Sequence, residues 1–139
     1  MNLFNKFKEK VEDGLMNAAE KMEESMTLKY ADNFISAYNS SNFDYMERCI
    51  KNLEESASSQ LSVSARFFAP CAKGIFIISS GLKNPPIPSE DILELIVLSS
   101  NIKRFNIYSN DDKENELHKW FYEEFDKLVK MNNLRGIGW

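Results

Sequence analysis

The sequence predicts an all-α fold, a single domain over residues 1–139 with about five helices, one of them a long N-terminal amphipathic helix. Two observations carry this. Apolar residues recur at steps of three and four through most of the chain, and clusters of turn, capping and proline residues separate the stretches that do so. At 139 residues, roughly two thirds of the unfolded surface can be buried on folding, so one core suffices.

The first element begins at Leu3, with apolar residues at Phe4, Phe7, Val11, Leu15, Ala18, Met22 and Met26 on one helical face. The mean step is nearer an eleven-residue than a seven-residue repeat, so the stripe runs almost straight along the helix. No proline interrupts it, and Gly14 weakens it by about 1 kcal/mol relative to Ala. The pattern continues through Tyr30, Phe34 and Ala37, with a break expected at Ser25 to Thr27. The Phe4, Phe7, Val11, Leu15 face is expected to dock on the domain's own core or on another copy of the chain. Lys6, Lys8 and Lys10 beside Phe4 and Phe7 suit a membrane-surface helix, but Glu9, Glu12, Asp13, Glu20, Glu23 and Glu24 oppose anionic lipid.

The polar run Asn39 to Asn42 predicts a turn, with Ser41 or Asn42 capping the next helix. That helix carries Phe43, Met46, Ile50, Leu53, Ala57 and Leu61 at helical spacing. Through Ala37, Tyr38, Asn42, Phe43, Asp44, Glu47 and Ile50, the segment Ser36 to Glu54 resembles the turn of a tetratricopeptide-type hairpin. The resemblance implies a helix pair at this point only. No second copy follows at a spacing near 34 residues, and an isolated repeat cannot bury its own face, so an array is not expected.

Pro70 is expected to break or restart the helix after Phe67 and Phe68. The buried run Gly74 to Ile78 reads as helix or strand, with helix favoured. Pro85, Pro86 and Pro88 predict a loop, after which Ser89 caps a helix with Glu90 and Asp91 in its first turn. Its apolar residues Ile92, Leu93, Leu95, Ile96, Val97 and Leu98 surround the axis, so it is expected at the centre of the fold. The stretch Arg104 to Tyr108 is strand-like. The alternative fold is therefore α+β, with a small two-stranded element at residues 75–78 and 104–108. Ser109 to Asp111 open a last helix bearing Leu117, Trp120, Phe121, Phe125, Leu128 and Met131, ending near Asn132 or Asn133.

A formal charge of -4 and a pI near 5.1 leave no net attraction for phosphate backbones, so nucleic acid is not an expected partner. Lys83, Lys103 and Arg104 are the only local basic spots, read as solvation of a helix end. Cys49 and Cys71 lack any motif spacing, which fits a reduced, cytoplasmic protein without disulfide or zinc. No segment approaches the ~20 apolar residues of a bilayer span, and carboxylates interrupt any signal-peptide core.

Chemistry-bearing patterns are sparse. His118 is the only histidine, with Glu114 one turn before it, and is expected as an exposed helix residue beside an ion-pairing carboxylate. Cys49 and Cys71 are expected as buried thiols. No glycine-rich phosphate loop occurs, and Trp120, Phe121, Tyr122 and Phe125 at helical spacing are expected as core. Glu124 falls on the apolar face of the last helix, where a carboxylate needs a partner such as Arg48 or Arg66, a contact surface or a pocket. No catalytic residue, metal or cofactor is expected. The expected function is noncatalytic protein binding, as an inhibitor, immunity-type protein or small chaperone or adaptor acting through an acidic helical surface. Its candidate interaction residues are Glu124, Trp120 and Trp139, and its partner is another protein or a second copy of the chain. The alternative is a small-ligand binder or enzyme using dispersed carboxylates and aromatics in a helical pocket.

Overall fold

A computed structural model describes residues 3–59, 61–83, 87–103 and 112–131, with the side chains of 3–13, 16, 83 and 101–103 outside the description. The described residues form five helices and no strand: α1 (Leu3–Asn39), α2 (Phe43–Ser58), α3 (Ala65–Lys83), α4 (Ser89–Lys103) and α5 (Asp112–Met131). The fold is all-α. Residues 75–78 lie inside α3, which removes one strand of the α+β alternative, while 104–108 fall outside the described residues.

The backbone of α1 is continuous through Ser25 to Thr27, so the expected break is absent. What changes there is burial. Thr27, Ala31, Phe34 and Ala37 are buried, whereas Leu15 is 67% and Met22 65% exposed. Leu15 therefore does not dock on the core, and Phe4, Phe7 and Val11 have side chains outside the described set. At 100° per residue, Leu15, Met22 and Met26 share one line, turned more than about 100° from the face of Thr27, Ala31 and Phe34. Glu20, Glu23 and Glu24 stand in register with that buried face. At 37 residues α1 is about 55 Å long against about 30 Å for α5, so its N-terminal half outreaches the body.

α1 ends in a Schellman turn: Asn42 N–H donates to the Ala37 carbonyl at 2.9 Å and Ser41 N–H to that of Tyr38 at 3.1 Å, with Ser41 at φ 55°. Asn42 then caps α2, its side chain accepting from Tyr45 N–H. α1 and α2 pack together across this turn. α2 buries Met46, Cys49, Ile50 and Leu53 and stops at Ser58, short of Leu61.

The central helix is α3, which packs against all four others, whereas α4 packs against α3 alone among the described residues. The expected central position of α4 is therefore wrong. The reason is bulk: Ala65, Ala69, Ala72 and Gly74 are all buried and let neighbouring helices approach α3 closely. A methyl group at Gly74 would come within 2.4 Å of the Phe125 ring. α4 buries Leu95 and Ser99 but leaves Leu93 65% exposed, with Ile96 and Val97 also exposed. Pro70 sits inside α3 without ending it, so the break expected there is absent. The first turn of α4 hangs on the carbonyl of Pro88, which accepts from Asp91 and Ile92, so Ser89 is its first helical residue rather than its cap. α5 buries Leu117, Phe121, Phe125, Leu128 and Val129, while Met131 is exposed. No helix among the described residues is long and apolar enough to cross a membrane.

Candidate functional site

Polar side chains from α1 and α5 converge on the start of α3, where the first backbone N–H groups have no helical acceptor. The Thr27 and Ser62 hydroxyls are hydrogen-bonded at 2.9 Å, and Ser62 Oγ accepts from Ala65 N–H. Glu24 Oε1 accepts from Val63 N–H at 2.7 Å, and the Ser64 hydroxyl donates to Glu114 Oε1. Two carboxylates thus stand at the positive end of the α3 dipole.

Glu114 Oε1 also lies 3.7 Å from His118 Nε2, one turn along α5. The His118 side chain is only 12% exposed, which corrects its expected place at the surface. Its ring lies tilted against those of Phe67 and Phe68, with centroids 4.4 and 4.7 Å away. Burial lowers the imidazole pKa below its ordinary value, against the opposite pull of the Glu114 and Glu24 carboxylates. Among the described residues, Glu24 Oε2 and His118 Nε2 are buried and meet no hydrogen-bond partner. Ser64, Glu114 and His118 do not form a nucleophilic triad, because the carboxylate stands where the imidazole must be to take the serine proton. No group of three His, Cys, Asp or Glu among the described residues is arranged to hold a metal ion. An open cleft of about 510 Å³ lies outside this junction, lined by Glu20, Lys21, Glu24 and Glu114 among others.

Of the residues singled out in the sequence, Glu124 and Trp120 come together and Trp139 lies outside the described residues. Glu124 Oε1 accepts from the Tyr38 hydroxyl at 2.6 Å and sits 3.1 Å from Lys127 Nζ. Its partners are therefore Tyr38 and Lys127, not Arg48 or Arg66. Burial, the hydrogen bond to Glu124 and the charge of Glu124 all push the Tyr38 pKa above its ordinary 10.0. Trp120 is half-buried and meets Tyr38 edge-on at 5.7 Å. Sequence reading missed Tyr38, although it continues the face of Phe34 and Ala37 that α1 buries. Cys49 and Cys71 are buried free thiols, and burial raises the pKa of each. The side chains of Lys83, Lys103 and Arg104 lie outside the described set.

Two apolar faces point outward: Leu15, Met22 and Met26 on α1, and Leu93, Ile96 and Val97 on α4. No protein-family model, no curated protein and no solved structure matches the chain.

Proposed function

We propose that this chain is a noncatalytic protein-binding protein, of the inhibitor, immunity-type or small chaperone and adaptor kind, and that it makes its contact along the outward face of α1. The observation that carries this reading is the inverted amphipathicity of residues 15–26. Leu15 and Met22 are exposed while Glu20, Glu23 and Glu24 share the side that packs on the body further along the helix. Burying a Leu or Met side chain is worth about 1.5–3 kcal/mol, and the isolated chain forgoes it here. A protein surface laid on the stripe recovers it, with Glu23, about 100° round the helix from Met22, at the polar edge of the contact. Glu24 and Glu114 beside the open cleft are both engaged at the start of α3, which favours binding over catalysis. Two buried free thiols fit a reducing, cytoplasmic setting.

The test uses the full chain, tagged, against lysate of its native host, comparing wild type with Leu15→Asp/Met22→Asp. The captured set is read by mass spectrometry, untagged copies of the chain included. A protein recovered with wild type and lost with the variant, at unchanged melting temperature, supports the reading. The same capture by both proteins, or capture by neither, removes it.

A further inference from the structure

The pairing described below rests on the reading of the α1 stripe as a contact surface, and it starts from a repeat within the sequence of α1. Residues 4–14, FNKFKEKVEDG, and 15–25, LMNAAEKMEES, align without a gap. Glu9 matches Glu20, Lys10 matches Lys21, Val11 matches Met22 and Glu12 matches Glu23, while Phe4, Leu15 and Met26 are spaced by eleven. Eleven residues make about three turns of helix, so equivalent positions recur along one nearly straight line for about 33 Å. Such a line fits a second straight helix laid alongside.

The charges identify that helix and its direction. Met22 lies on the stripe, with Lys21 about 100° to one side and Glu23 about 100° to the other, and the first unit repeats this order as Lys10, Val11, Glu12. In a parallel, in-register pair related by a two-fold axis, each helix turns its lysine flank to the other's glutamate flank at every level. Antiparallel pairing brings like flanks together, Lys21 against Lys10 and Glu23 against Glu12. Lys6 and Lys8, matched by Asn17 and Ala19 in the second unit, are the charges outside this order. Exposed ion pairs of this kind select direction, while the apolar line supplies the affinity. The bodies leave the stripe clear, because Leu15 and Met22 are exposed while Glu24 and Thr27 meet the body on the other side of α1, and Tyr30 and Ala37, which turn back toward the stripe's side, lie beyond its last residue. We infer that α1 pairs in parallel and in register with α1 of a second copy of this chain, along Leu15, Met22 and Met26.

The experiment is sedimentation equilibrium on the full chain, joined to disulfide trapping. Wild type is expected to dimerise, and Met22→Asp to dissociate at least tenfold more readily with an unchanged melting profile. Parallel register brings each residue to its own equivalent, so Leu15→Cys and Met22→Cys each cross-link on mild oxidation, while wild type, with its two thiols buried, does not. Lys21→Glu is expected to weaken the dimer by roughly three- to tenfold, and Lys21→Glu/Glu23→Lys to restore it. Cross-linking through Leu15→Cys alone, together with a tighter dimer for Lys21→Glu, means antiparallel pairing and overturns the inference. A wild-type monomer at all concentrations overturns it too, including one that co-sediments with phosphatidylcholine–phosphatidylglycerol vesicles. If that monomer still captures a host protein lost with Leu15→Asp/Met22→Asp, the binding reading stands without self-pairing. If capture is also unaffected, both fall.

Discussion

The phenol of Tyr38 on α1 donates to Glu124 Oε1 on α5 across 2.6 Å, fastening the buried end of the longest helix to the last one. Trp120 closes over the same contact edge-on. Removing the hydroxyl leaves Glu124 with Lys127, whose exposed amine contributes little. Tyr38→Phe is therefore expected to lower stability by about 1–2 kcal/mol, read as a shift in the urea midpoint at constant slope. Glu124→Gln keeps an acceptor without the charge and should cost about 1 kcal/mol. The Tyr38 pKa is raised above its unfolded value of 10.0, so the unfolded state loses its proton first. The stability this phenol contributes is present below pH 10 and lost as pH rises beyond it, and Tyr38→Phe should remove that part of the alkaline decline.

His118 makes the opposite prediction at mildly acidic pH. Its folded pKa lies below the ordinary 6.5, so below that pH the unfolded chain binds the proton more readily. Stability is expected to fall as pH drops from about 6.5 toward the folded pKa. With no other histidine in the chain, comparing urea midpoints at pH 7 and 5.5 for wild type and His118→Gln isolates the effect. An equal decline in both proteins would assign it to carboxylates instead.

The same substitution at two glycines should act with opposite signs. At Gly74 a methyl group meets the ring of buried Phe125 at 2.4 Å, so Gly74→Ala is expected to cost about 1–3 kcal/mol net of the gain in helix propensity. At Gly14 nothing among the described residues lies within 4 Å, and Gly14→Ala should stabilise the local helix by up to about 1 kcal/mol. Because that segment is far from the core, the gain should appear in helicity at 222 nm more than in the global unfolding midpoint.

Ser41 holds φ 55° in the turn between α1 and α2, a conformation costly for a residue with a Cβ. Ser41→Gly should raise stability by about 0.5–1 kcal/mol, and Ser41→Asn by less. Thermal denaturation of the three proteins in one buffer checks the order; a destabilised Gly variant would show that the Ser41 side chain does more than occupy the turn.

The sequence by itself determined the helices and several of their ends. Spacing at three and four residues located α2 and α5 and their buried faces, Met46, Ile50 and Leu53 in one and Phe121 and Phe125 in the other. The cap was narrowed to Ser41 or Asn42, of which Asn42 serves, because capping is a local hydrogen bond between neighbours in the chain. That Glu124 needs a partner was also legible, since a carboxylate on an apolar helix face is an electrostatic problem wherever it packs.

Only the tertiary structure decided which faces are covered and by what. The stripe of Leu15, Met22 and Met26 and the face of Thr27, Ala31 and Phe34 belong to one helix, and periodicity shows that a face is apolar without showing what lies against it. α4, apolar all round, was expected at the centre, but α3 holds that place because its small residues admit four neighbours and α4's bulky ones do not. His118 and Tyr38 follow the same logic. Each has a partner within one helical turn or near one in the chain, yet the Phe67 and Phe68 rings that bury the imidazole, and the α5 carboxylate that binds the phenol, come from other helices. Helix formation is a local equilibrium along the chain, whereas burial is a property of surfaces brought together from distant residues.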